Sequence, residues 1–361
     1  MISTFNHYLI SREMVSKKIK ITIIASLFIL VAGISGFVGG RYLADNKLSC
    51  FTEKYVLYVY PDARVEEVID SLCSGAGALR RGSLVRTARK EALNENMKPG
   101  RYDIDPSFSA IYVSRMLSRG WQTPQNLTLS GTLRKKERIA QIIGRQMMID
   151  SSQVVQALND TSFLAQYGFT PENVFGLILP DTYQMYWTDT IDEIFGRFKK
   201  EYDAFWTDER IAAAKTQGLS PIEASIMASI VSGETLKAFE YPKIAGVYLN
   251  RLHKGMLLQA DPTIAFCHGY TLDRIYKKHL KIESPYNTYK YKGLPPAPIN
   301  VPPKACIEAV LHPDTHGYLY FCASPAFDGT HRFASSYNTH LQNAREFHRA
   351  LTERRRSSAK K

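Results

Sequence analysis

The residue in this sequence best placed to do chemistry is Glu234, at the end of Met227-Ala228-Ser229-Ile230-Val231-Ser232-Gly233-Glu234. At about 100° per helical residue, Ile226, Met227, Ile230 and Glu234 share one narrow sector, while Ser225, Ser229, Ser232 and Gly233 crowd another. A carboxylate on an apolar stripe loses hydration, which disfavours its charged form and raises its pKa, as a general acid near neutrality requires. Gly233 carries no side chain, so a ligand is expected to approach the backbone closely there. The alternative is a solvated glutamate at a helix end.

Other polar residues follow. Asp261 is the candidate second carboxylate; because it precedes Pro262, an extended or turn conformation is expected, and it either meets a ligand or only builds that turn. Asn250 and Gln259 are polar candidates of the same two-sided kind. Tyr286-Asn287-Thr288-Tyr289 offers rings and directional donors, which suit sugars, although isolated tyrosines more often pack in a core. His331 and His340 read as hydrogen-bonding supports, since no serine or cysteine nucleophile motif lies near them. Asp181, after Pro180, reads as a turn or cap residue or a substrate contact.

The elements that must hold these groups are legible. Ser220-Pro221-Ile222-Glu223 is a capping box with proline at the first helical position, so the helix carrying Glu234 begins there. Before it come helices over about 191–206 and 208–216, a strand at 127–129, a basic helix over 133–148, and a helix to Leu158 capped by Ser151 or Ser152. After it, the proline-rich 293–299 predicts a stiff, extended loop walling the groove by shape, and 318–321 predicts a buried strand. No internal repeat is found.

Five blocks in order, MASIVSGETL, PKIAGVYLNRL, GMLLQADPTIAF, SPYNTY and GLPPAPI, resemble the endolytic murein transglycosylases, the MltG or YceG-like family. The resemblance is dense from about Phe175, where GLILPDTY matches a further family segment, to His340. It implies that Glu234 is the catalytic acid and then base. It also implies a substrate groove in which Asn250, Gln259, Asp261, Tyr286, Asn287 and Tyr289 are the candidate substrate-binding residues. In such a lytic transglycosylase the C6 hydroxyl of N-acetylmuramic acid attacks C1 and closes a 1,6-anhydro ring, with no water consumed. Three positions depart from the family: Ser232 stands where a second glutamate is common, Ala297 where glycine is usual, and Leu341 where asparagine commonly follows His340.

The 361 residues carry a net charge of +12, with 45% hydrophobic and 22% charged residues. Disorder is not expected at that composition. The basic excess would suit nucleic acid, an anionic membrane surface or an acidic polymer, but no nucleic-acid module is visible and nucleic acid is not an expected partner. The five cysteines show no metal spacing; no metal or cofactor is expected, and one or two disulfides would be compatible with an extracytoplasmic location.

Residues 21–40 are a charge-free run of the length needed to cross a bilayer. Arg12, Lys17, Lys18 and Lys20 precede it, which places residues 1–20 in the cytoplasm and the rest on the periplasmic or extracytoplasmic side. A single-pass inner-membrane anchor is favoured over a cleaved signal peptide. Next, 50–122 predicts a small α+β module: a strand at 55–60, a helix capped by Asp62, a helix over 83–93, a strand at 102–104 and a helix over 107–117. In the family this region resembles a LysM-like, glycan-binding module. Residues 125–350 form the expected catalytic domain and 351–361 a basic tail. The fold class is therefore mixed α+β, with an N-terminal transmembrane helix, a LysM-like module and a YceG-like catalytic domain. Peptidoglycan strands are the expected substrate, and peptidoglycan synthases are candidate partners. Two other classes stay open: a muramidase using Asp261 as helper, and a non-enzymatic wall-binding protein.

Overall fold

The computed structural model describes residues 2–358, with side chains from Lys17 to Ser357. The side chain of Arg12, and Lys360 and Lys361 of the basic tail, lie outside the described residues. The chain is α+β and divides into two compact units, one reaching to Pro124 and including Tyr186–Thr188, the other formed by Gln125–Met185 and the residues from Asp189 onward.

The first unit opens with α1 (Ile2–Asn46), then β1 (Tyr55–Val59), α2 (Val65–Gly75), α3 (Arg81–Lys90), α4 (Leu93–Asn96), β2 (Gly100–Ile104) and α5 (Ala110–Arg119). Within α1, Lys17–Asn46 is long and apolar enough to cross a membrane; its 30 residues rise about 45 Å, against roughly 30 Å of hydrocarbon. The helix outruns the apolar stretch, and near its end Asp45 accepts a hydrogen bond from Arg86 Nε at 2.9 Å. Strands β1 and β2 pair antiparallel with Leu57 opposite Tyr102. Leu57 and Val59 point inward while Val56 and Tyr58 face solvent, the alternation a half-buried strand dictates. Arg64, not Asp62, is the N-cap of α2. The helix expected over 83–93 is split by Ala92 in a left-handed conformation (φ 49°) into α3 and α4.

In the second unit, β3 (Gln125–Leu129) pairs with β4 (Asp181–Met185) across α6 (Lys136–Gln146), α7 (Ser151–Ala157) and α8 (Thr161–Ala165). Asp150 caps α7, its carboxylate accepting the Ser152 N–H at 2.6 Å. One core joins this pair to α6 and α9 (Ile191–Phe205) through Leu127, Ile143, Tyr183, Phe195 and Phe198. The second core surrounds α11 (Pro221–Glu234), which follows α10 (Asp208–Thr216) and precedes α12 (Tyr241–His253), α13 (Asp261–Cys267) and α14 (Lys304–Leu311). β5 (Tyr320–Ala323) and β6 (His331–Ala334) form a hairpin, and α15 (Tyr337–Ser358) closes the described chain. β5 is half-buried, not the buried strand expected.

Two expectations change around α11. Every residue from Ala224 to Val231 is buried, Ser225 and Ser229 included, so the helix is enclosed on all sides and its serine face is as dry as its isoleucine face. The serines are accommodated because Ser225 Oγ donates to the Pro221 carbonyl at 3.1 Å and Ser229 Oγ to that of Ile226 at 2.7 Å. Gly233, in turn, admits Pro262 of α13: a Cβ there would lie 2.6 Å from Pro262 Cβ. The missing side chain serves helix packing, not the close approach of a ligand. Gly233→Ala is expected to cost roughly 1–3 kcal/mol through overpacking, read as a lower midpoint of urea unfolding.

Candidate active site

α11 starts where the capping box puts it. The Glu223 carboxylate accepts the Ser220 N–H at 2.8 Å and the Ser220 hydroxyl accepts the Glu223 N–H at 3.4 Å. The helix stops at Glu234 because Thr235 turns extended (φ −146°, ψ 153°). Glu234 therefore sits at the end of an enclosed helix, partly open to a cavity of about 320 Å³ that it lines with residues of α12, α13 and the β5–β6 hairpin.

Two side chains of α12, one turn apart, frame it. Tyr248, 2% exposed, donates its hydroxyl hydrogen to Glu234 Oε1. Arg251 is buried and committed elsewhere: Nε donates to the Leu319 carbonyl at 2.6 Å, and Nη1 to the carbonyls of Leu258 at 2.8 Å and Leu257 at 3.2 Å. Burial lowers the Arg251 pKa. For Glu234, desolvation is the leading effect and pushes the carboxyl up to about 7, the Tyr248 hydrogen bond opposing it, the Asp261 charge adding to it and Arg251 opposing it more weakly.

Asp261 lies on the same cavity, exposed, with its Oδ1 accepting the Tyr289 hydroxyl hydrogen at 2.6 Å. It is the first residue of α13, not part of an extended segment. Proline fits the first turn, where a missing N–H breaks no helical bond. Gln259 also lines the cavity; it adopts a left-handed conformation (φ 53°), with its N–H donated to the Thr288 carbonyl at 3.1 Å. Tyr289 completes the candidate substrate-binding residues that converge here, and His331 and His340 line the cavity as well.

Three candidates do not line the cavity. Asn287 is fully buried and donates to the carbonyls of Leu280 at 3.0 Å and Ile282 at 2.8 Å, with its own oxygen taking the Tyr289 N–H at 3.0 Å. Asn250 donates to the carbonyls of His316 and Tyr318, at 2.8 and 3.1 Å. Tyr286 packs on Phe266 with ring centroids 4.6 Å apart. Their polar or aromatic groups organise loops. The proline-rich segment likewise enters the core: Ala297 and Ile299 are fully buried, and the Ile299 N–H donates to Ser229 Oγ at 3.0 Å.

Ser232 faces a different cavity, its hydroxyl donating to Asn300 Oδ1 at 3.0 Å. Residues two apart on a helix do not face each other, so a carboxylate there would not share a proton with Glu234. Asp181 pairs with Lys304 on that same side. All five cysteines are free thiols, with no disulfide among them.

Tyr248 and Arg251 are the groups that sequence reasoning missed. Their signal was present: Ile244, Tyr248 and Arg251 recur at helical spacing, which puts a cation on an otherwise apolar face.

The sequence profile of the YceG-like family matches residues 57–346. The chain belongs to the YceG-like family. It is 34% identical over 201 residues, 52% of this chain, to the endolytic murein transglycosylase of Bacillus subtilis, and 26% identical over 367 residues, 91% of this chain, to that of Streptococcus pneumoniae. The matches span 56% and 65% of those relatives' own lengths. A crystal structure of a yceG-like protein from Listeria monocytogenes superposes with a TM-score of 0.52 at 26% identity, covering 80% of this chain and 99% of that one.

Two titrations follow. Tyr248→Phe removes the bond that holds the Glu234 pKa down, so the carboxyl ¹³C shift of Glu234 should titrate at higher pH than in wild type. Folded Glu234 keeps its proton to about pH 7, whereas the unfolded chain releases it near 4.5. The folded state thus binds more protons in that window and loses stability as pH rises through it. Glu234→Gln abolishes this loss, so its melting temperature should gain on wild type between pH 5 and pH 8.

Proposed function

We propose that this chain is an endolytic lytic transglycosylase that cleaves the β-1,4 bond between N-acetylmuramic acid and N-acetylglucosamine in nascent peptidoglycan strands. The observation that carries this reading is Glu234 itself, a carboxyl group raised to about 7 on an open cavity. Such a group still holds a proton to give at neutral pH. The name shared by the Bacillus and Streptococcus relatives supports the substrate class.

In the first step Glu234 gives its proton to the glycosidic oxygen, the C1–O bond breaks, and oxocarbenium character develops at C1. The C6 hydroxyl of the same N-acetylmuramic acid then bonds to C1 while its proton passes to the Glu234 carboxylate. The acid is restored and a 1,6-anhydro end is left. The nucleophile belongs to the substrate, so its high effective concentration replaces an activated water. Tyr248 orients the carboxyl through both steps, while Gln259, Asp261 and Tyr289 offer polar contacts to the sugar. A muramidase that uses Asp261 to activate water is the competing reading, because that carboxylate also lines the cavity.

The apolar part of α1 would anchor the chain in the inner membrane with the catalytic unit on the extracytoplasmic side. That tether favours cuts within new strands near their site of synthesis and would set strand length. The unit ending at Pro124 would act as a LysM-like glycan-binding module, and peptidoglycan synthases would be neighbours.

Mass spectrometry of products released from uncrosslinked glycan by the full-length protein in lipid, with Glu234→Gln as control, tests the reading. Ends lighter by one water than a reducing sugar, lost by at least a hundredfold in the variant, are expected. Reducing ends would assign the hydrolase, and no cleavage by wild type would leave the binding protein.

A further inference from the structure

One pair, of which His331 lines the cavity and Glu240 lies behind it, has no part in that chemistry. Glu240, in the segment between α11 and α12, is 5% exposed, yet three donors reach its carboxylate. The His331 main-chain N–H donates to Oε1 at 2.8 Å, while His331 Nδ1 and the Thr235 hydroxyl meet Oε2 at 2.9 and 3.3 Å. Because Nδ1 faces a carboxylate oxygen, it carries a ring hydrogen. Phe321 fixes the ring plane edge-on at 5.3 Å between centroids. The far edge of the ring is different. His331 lines the Glu234 cavity, and its Nε2 has no hydrogen-bond partner among the described residues.

A tie between the 235–240 segment and the hairpin would need only Nδ1 and the main chain. It leaves unused the second nitrogen of a ring that lines the cavity of the candidate acid. We infer that His331, aimed by Glu240, is a substrate-contacting residue whose Nε2 hydrogen-bonds the saccharide seated over Glu234, taking a hydroxyl or acetamido hydrogen. A ligand filling the cavity strips water from Nε2, so a donor on the ligand must replace it. Glu240 acts through the ring and is a positioning residue. The inference rests on the saccharide reading of the cavity given above.

Two substitutions separate the ends of the ring. His331→Asn places an amide nitrogen about where Nδ1 stands and leaves nothing at Nε2. His331→Gln reaches about as far as Nε2 and forfeits the Nδ1 bond. On uncrosslinked glycan with the full-length protein in lipid, His331→Asn should melt near wild type but lose about ten- to a hundredfold in kcat/KM. His331→Gln should melt lower yet turn over faster than His331→Asn. Glu240→Gln should cost about tenfold alone and nothing further in the His331→Asn background, as expected of a residue acting through another. Wild-type turnover by His331→Asn, or activity that tracks melting temperature across the set, would overturn the inference while leaving the proposed function intact. Failure of wild type to cut glycan would bring down both readings.

Discussion

Desolvation of one carboxyl group is the constraint on which the second unit turns. Moving Glu234 from its ordinary 4.5 to about 7 corresponds to roughly 3 kcal/mol against the charged form. The carboxyl group stands at the end of α11, which is packed against α12, α13 and α14 and has no solvent face along Ala224–Val231. The same enclosure would suppress the acid altogether if nothing favoured its ionised state. Tyr248 and Arg251 supply that counterweight from a neighbouring helix. The balance leaves a group that can both lose and regain a proton near neutrality, the property that a single residue needs to serve as acid and then as base.

Holding such a helix in place falls to irregular chain. Between α12 and α14 runs a long stretch whose backbone polar groups have no extended sheet to join, and buried polar groups without partners are costly. Side chains supply the partners. Asn287 takes the carbonyls of residues 280 and 282, Arg251 those of 257, 258 and 319, and Asn300 that of Ser229. Thr288 accepts the Ala260 N–H at 3.0 Å and fixes the approach to α13. Several polar residues that look like ligand contacts are therefore the means by which loops are tied to the core. Gln259, Asp261, Tyr289 and His331, which line the Glu234 cavity, stand on the scaffold so built.

The end of α11 also separates two environments. Glu234 and Ser232 are two residues apart and open to different cavities, one lined by the hairpin and α12, the other by β3, β4 and the start of α14. The serine in place of a glutamate thus alters the second cavity and leaves the proton balance of the first to Glu234, Tyr248, Asp261 and Arg251. Glu240 and His331 bind the segment after Glu234 to the hairpin, whose residues Phe321, Cys322, Ala323 and His331 line the first cavity.

Local signals in the sequence determined a good deal. The capping box at Ser220, the apolar length of the first helix, the alternation in β1 and the order of the five blocks each depend on neighbours within a few residues. They specify where α11 begins, what can cross a membrane, and the family. Boundaries that hinge on a single backbone conformation, such as Ala92 splitting a helix, were not legible. The lining of the candidate cavity was legible in Glu234, Asp261, Gln259 and Tyr289, but not in their partners. Glu234 meets Tyr248 across 14 residues and Glu240 meets His331 across 91. Gly233 is explained only by Pro262, Asn250 is turned to the scaffold by carbonyls 66 and 68 residues along the chain and Tyr286 by the ring of Phe266, while Asn287 closes its own loop onto the carbonyls of Leu280 and Ile282. Only the tertiary structure decides these matters, because desolvation and hydrogen-bond satisfaction depend on which groups share a volume, and residue type and spacing constrain that volume only within an element.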